Sequence, residues 1–258
     1  MGGFVSAVRF RCLHCAAEYW GSPPPACSRC CGSLTQLPTA WAGRELTHTP
    51  RKPKVVSALQ LRAAKFQRRP AGPLWQALFK RREIPGQLVV GMSGVPSSGK
   101  STLALRLCED GTFMTPLYAS AEEGLSVGLA DRASRLESTR TALCDAANLP
   151  ELLEVLGSPE DLEHDLLVID SLTAAGLKAG DVLELARAYP GLSILAVVQS
   201  RKDGTFAGSQ ALMHDVGAWI ELDKESAYRI TKSWWGELVE GHVPDAGALA
   251  GEQQGDGS

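Results

Sequence analysis

The sequence predicts an α/β fold, a mostly parallel sheet with helices on both faces, preceded by a small cysteine module. Three observations carry this. From residue 88 onward, apolar strand-like runs alternate with stretches of helical period, and parallel strands need such crossovers. At the head of that region stands Gly94-Val95-Pro96-Ser97-Ser98-Gly99-Lys100-Ser101, which fits G-x-x-x-x-G-K-[ST]. Further upstream, Cys12-x2-Cys15 and Cys27-x2-Cys30 form two knuckle-like pairs around a proline-rich turn.

At 258 residues with 44% apolar content, the chain can bury one α/β core and carry one small appendage. No apolar run approaches the roughly 18 residues of a spanning helix, and the N-terminus lacks the apolar stretch of a signal peptide. The expectation is a cytoplasmic protein with no membrane partner. Met1, Gly2 and Ser6 fit an N-myristoylation pattern, but the pattern is short and a cysteine cluster follows at once, so lipidation is not expected.

The net charge of -3 hides a polarity. Residues 1–108 hold 16 Lys/Arg against 3 Asp/Glu, and residues 109–258 hold 10 against 26. Eleven of the basic residues lie between Arg44 and Arg82, with Glu45 the only acid among them. Such a stretch suits a polyanion, with nucleic acid the obvious candidate; it equally suits a solvated linker complementing the acidic half.

The order along the chain is then as follows. Residues 9–36 form a zinc ribbon with Cys12, Cys15, Cys27 and Cys30 as ligands; Cys31 is a possible substitute, and His14 stands too close to its neighbours to compete well. Four thiolates leave no open position, so this zinc is structural. Residues 37–73, with five prolines, read as a basic linker interrupted by an amphipathic helix over 55–69. The α/β domain covers 74–240. Its strands are expected at 88–92, 115–120, 166–170 and 193–198 and in AWIEL and AYRITK, with helices from residue 100, over 125–137 and over 180–189. Cys108 and Cys144 are core fillers. Residues 241–258, rich in Gly, Ala, Gln and Asp, read as a disordered tail.

The glycine-lysine-serine loop is a phosphate cradle because its context is right: an apolar strand leads in and an amphipathic helix leads out, so backbone amides and a helix N-terminus face one point. The predicted nucleotide contacts are Gly94 through Thr102, with Lys100 a cation for the β and γ phosphates and the Ser101 hydroxyl a Mg²⁺ ligand. Asp170, capping the apolar strand LLVID, is the second carboxylate such a site needs for its magnesium. Hydrolysis of ATP further requires a base for the attacking water. The strand ending in Ala121-Glu122-Glu123 offers Glu122, with Glu123 a helix-opening acid.

Taken together, PGQLVVGMSGVPSSGKSTLALRL, LYASAEE, LLVIDSLTA and VVQSRKDGTFAGSQALMHDVGAWIEL resemble the ATPase part of the bacterial DNA-repair protein RadA, in order and spacing. The resemblance spans roughly residues 10–236, and the cysteine module stands where that family carries its zinc finger. It implies a RecA-type P-loop NTPase core, a homo-oligomeric ring or filament, and single-stranded or branched DNA as partner in repair or recombination. It also gives Gln199 a sensor position for the γ-phosphate, although RadA usually has histidine there. Arg201, Lys202 and Phe206 fall where RecA-type proteins place a DNA-contacting loop. Lys232 would reach a neighbouring subunit's phosphate.

The sequence departs from that family in two respects. Lys232-Ser-Trp-Trp-Gly236 replaces K-N-R-F-G, so Trp234 stands where an arginine is expected, and no indole replaces a guanidinium fork. The Lon-protease-like region that follows in RadA has no counterpart after residue 240. Two other functions therefore stay open: a zinc-ribbon adaptor or regulator that binds ATP with little turnover, and a DnaB-like helicase-type ATPase. A P-loop kinase for a small metabolite fits worst, because Arg132, Arg135 and Arg140 are the only candidates for an arginine-rich lid.

Overall fold

The computed structural model describes residues 9–12, 18–20, 34–36, 55–199, 210–225 and 227–244. They belong to two units, Met1–Arg51 and Lys52–Ser258. In the first, β1 (Arg9–Cys12), β2 (Glu18–Trp20) and β3 (Leu34–Gln36) form an antiparallel sheet in the order β2-β1-β3. Phe10 pairs with Tyr19 on one side and Gln36 on the other. Cys12 closes β1, while Cys15, Cys27, Cys30 and Cys31 lie outside the described residues, and the zinc ligand set with them.

The second unit opens on a shorter helix than its sequence predicts. In place of a helix over 55–69 there is only α1 (Ala58–Ala63), started by a capping box in which Ser57 and Gln60 exchange side-chain and backbone bonds of 2.8 and 3.1 Å. Its apolar residues find no core, with Leu59 75% exposed, and a helix this short gains little without packing. Chain direction then changes because Pro70 biases Arg69 toward extended backbone. The result is β4 (Arg68–Pro70), paired antiparallel with β5 (Glu83–Pro85). Arg69 donates to Asp165 and to the Gly86 carbonyl, and its guanidinium lies 4.4 Å from the Phe113 ring centroid. These contacts tie residues 68–70 to the α/β domain, ahead of the expected start at 74.

Between β4 and β5 lies α2 (Pro73–Phe79), which begins on a proline suited to the first helical turn and buries Leu74, Trp75, Leu78 and Phe79. Trp75 stacks on Phe79 and donates its indole N–H to the Leu107 carbonyl at 3.2 Å.

The main sheet contains β6 (Val89–Gly94), β7 (Pro116–Ser120), β8 (Ala142–Cys144), β9 (Leu166–Asp170), β10 (Ser193–Gln199), β11 (Ala218–Leu222), β12 (Ala227–Ser233) and β13 (Glu240–His242). Their order is β13-β12-β11-β6-β10-β9-β7-β8. The six strands from β11 to β8 are parallel, and β12 and β13 add an antiparallel edge. Residues 241 and 242, expected to open a tail, instead lie in β13, which pairs with β12 through His242.

Around the sheet are α3 (Lys100–Glu109), α4 (Val127–Arg135), α5 (Leu149–Leu156), α6 (Ala179–Ala188) and α7 (Gln210–Asp215). Every residue of β7 and β9 is buried, as expected of central strands covered on both faces. One core joins Val90, Met92, Val168 and Val197 to Leu74, Leu103 and Leu107 from α2 and α3. Cys108 is buried as a filler should be; Cys144 is half-buried. Among the described residues no helix is long and apolar enough to cross a membrane.

Candidate nucleotide site

The strand order determines where polar groups can meet. Because β10 lies between β6 and β9, the C-terminal ends of β6, β10, β9 and β7 open on one edge of the sheet, where α/β proteins bind ligands. Gly94 is level with Gln199, and Asp170 is level with Ser120.

After β6 the chain curls through Val95–Gly99 into α3. Two glycines make this possible. A Cβ on Gly94 would lie 2.5 Å from Ser98 Oγ and 2.6 Å from the Leu222 carbonyl, and Gly99 has φ 86°, the left-handed region open to glycine. Ser97 also takes a positive φ, 64°. Lys100 opens α3 and folds its amine over the loop, donating to the Gly94 and Val95 carbonyls at 2.9 Å each. Burial lowers its pKa, and Asp170 and Glu122 oppose that shift, so the ammonium lies within electrostatic reach of both carboxylates. Ser98 Oγ is buried without a hydrogen-bond partner, a donor aimed into the curl. Pro96, Ser97 and Thr102 are exposed around it. This loop fits a phosphate chain: close backbone, a spare hydroxyl, a cation and a helix N-terminus.

Across from Lys100, Asp170 is 5% exposed at the end of β9 and accepts a hydrogen bond from the Tyr118 hydroxyl. Burial first, and Asp170 second, push the Tyr118 phenol far above its ordinary range, so it remains a donor. Ser120 Oγ, two residues along β7, is buried without a partner. One carboxylate and one hydroxyl suit Mg²⁺, which keeps several waters of its own. Among the described residues no group of three or more His, Cys, Asp or Glu side chains could hold a metal by itself.

The two adjacent acids separate. Gln199 donates its amide to Glu122 Oε1 at 2.6 Å, and the Glu122 backbone N–H bonds the Asp170 carbonyl at 3.1 Å. Glu122 is therefore exposed yet tethered at the mouth of the site. Glu123 turns away into an ion pair with Arg132 and a bond from Ser126, beside the start of α4.

Lys232 is elsewhere. Its amine donates to the Met213 and His214 carbonyls at the C-terminal end of α7 and lies 4.5 Å from the Trp234 ring centroid. Trp234 is 67% exposed, whereas Trp235 packs on Phe79 with centroids 4.5 Å apart. Arg201, Lys202 and Phe206 lie outside the described residues.

Sequence reasoning brings together Lys100, Ser101, Glu122, Asp170 and Gln199, and the structure places them at one edge. It missed Tyr118 and Ser120. The available signal was a tyrosine and a serine inside a buried strand, since a buried hydroxyl needs a partner.

A mainly parallel sheet with this loop at the C-terminal edge, and one strand between the loop strand and the carboxylate strand, is the architecture of a P-loop α/β protein. No protein-family model matches the chain, and no curated protein matches it. Among solved structures, the chain is similar to the KaiC-like protein PH0186 from the hyperthermophilic archaeon Pyrococcus horikoshii OT3, at 16% identity and a TM-score of 0.49, over 68% of this chain and 94% of that one.

Proposed function

We propose that this protein is a RecA-type ATPase related to RadA that works on single-stranded or branched DNA in repair or recombination. The observation carrying the ATPase reading is Glu122, held by Gln199 and anchored to the Asp170 backbone on the edge that also presents Lys100. A carboxylate fixed there is placed to orient a water and take its proton. Residues 94–102 would hold the ATP phosphates, and Ser101 and Asp170 would hold Mg²⁺, which supplies charge stabilisation to the β and γ oxygens.

DNA as partner rests on the basic stretch between Arg44 and Arg82 and on Arg201, Lys202 and Phe206, cations with one aromatic for stacking. Assembly of several copies and a structural zinc on Cys12, Cys15, Cys27 and Cys30 belong to the same reading. The test is ATP turnover with and without single-stranded DNA. DNA should stimulate the wild type, Lys100→Ala should abolish nucleotide binding, and Glu122→Gln should bind ATP but turn it over slowly. Glu122→Gln with wild-type turnover sinks the catalytic assignment, and indifference to DNA sinks the partner.

One observation favours a second reading, an adaptor that binds ATP with little turnover. The Lys232 amine is engaged by carbonyls of its own chain, and an exposed tryptophan stands where the resemblance expects an arginine. Tight ATP binding with turnover near zero, with or without DNA, would select it.

A further inference from the structure

We infer that Tyr118 is a positioning residue for the magnesium side of the nucleotide site: its buried hydroxyl holds the Asp170 carboxylate in the orientation a metal requires. This rests on the ATPase reading above and adds to it a residue for which phosphate-loop chemistry makes no demand.

On the parallel neighbours β7 and β9, Tyr118 is level with Val168 and Ser120 with Asp170. Side chains two apart on a strand share a face, so Tyr118, Ser120, Val168 and Asp170 all project to the face covered by α3. Tyr118 is fully buried in that core, and its ring cannot swing without displacing neighbours such as Leu103. Its hydroxyl therefore sits at a fixed point, where it donates to Asp170 Oδ2. A buried aspartate needs partners for its oxygens, and one taken up by a rigid donor has one oxygen left to face outward.

Groups that orient metal ligands without touching the metal typically contribute 10- to 100-fold in metal affinity.

The experiment uses the full chain, its Tyr118→Phe variant and, as a reference for a lost ligand, Asp170→Asn. Binding of a fluorescent ADP, which does not turn over, is measured in EDTA and across a Mg²⁺ series, with thermal unfolding alongside. Tyr118→Phe should bind ADP in EDTA as the wild type does, while the Mg²⁺ concentration for half of the metal-dependent gain rises about 10-fold. Asp170→Asn should raise it at least as far. A wild-type Mg²⁺ curve for Tyr118→Phe overturns the proposal. So does an equal loss of ADP affinity with and without Mg²⁺, which marks a packing role only. A wild type that binds no ADP at any Mg²⁺ concentration instead removes the ATPase reading itself, and the proposal with it.

Discussion

Two polar regions at the ends of the sheet differ in whom their side chains serve. At the ends of β6, β9, β10 and β7, Lys100, Glu122, Asp170 and Gln199 are turned toward one another and toward a common space. On β12, the Lys232 ammonium spends its bonds on the last carbonyls of α7, where the helix dipole favours a cation. A lysine can thus lie near a nucleotide fold as a structural cap. The first region has the organisation of a reaction site; the second, in a single chain, has that of a joint.

The sharpest way to break this comparison is Glu122→Gln. It keeps the size and the ability to meet Gln199, but loses the basic oxygen, so turnover should fall about 10²- to 10³-fold while ATP affinity stays within a few-fold, measured by steady-state kinetics and equilibrium binding. Glu123→Gln is the internal control. Its partner is Arg132, so turnover should change less than about 3-fold and only the modest worth of a partly exposed ion pair should be lost from stability. If the two variants behave alike, the assignment of roles to the adjacent acids is wrong.

Next in size is Gln199→Ala. The amide fixes Glu122 at 2.6 Å, so its removal should lower turnover roughly 10-fold and leave the unfolding midpoint nearly unchanged. A loss as deep as that of Glu122→Gln would instead make Gln199 a direct participant, as expected of a γ-phosphate sensor.

Lys232→Met sharpens the other side of the comparison. As a cap it should cost about 1 kcal/mol of stability, seen in urea unfolding, and leave turnover intact at every protein concentration. If Lys232 also serves a neighbouring subunit, turnover of the variant should fall only under conditions where copies assemble.

Most of the site was legible because it is written in short local patterns. Gly94, Gly99, Lys100 and Ser101 follow a spacing that backbone geometry demands, and Asp170 ends a strand whose bounds, Leu166–Asp170, match the apolar run. Less legible were elements whose existence depends on tertiary burial. α2 is seven residues long and holds together because Trp75 and Phe79 meet Phe113 and Trp235 from distant segments. β8 has three residues, too few for periodicity to register. α5 was not expected: its N-cap Asn148 and the Pro150 of its first turn are weak signals without a neighbour to pack against. The helix expected over 55–69 shortens for the converse reason: its apolar spacing is present, but among the described residues no core lies under it.

The smallest expected effect concerns the cost of placing Lys100 where it is. Burial lowers its pKa in the folded chain below the ordinary 10.5. Below both values lysine is charged in both states, and the folded state carries the full penalty of an ammonium withdrawn from water. Between the lowered value and 10.5, the unfolded chain holds a proton that the folded chain has released, so stability rises with pH. Lys100→Met has no such term. The stability of the wild type relative to Lys100→Met should therefore improve as pH rises from neutrality toward 10.5, measured as the difference between urea midpoints at each pH. A flat difference would mean that the bonds to the Gly94 and Val95 carbonyls already compensate the burial, and that this site, unlike the β12 corner, holds its lysine at no cost to the fold.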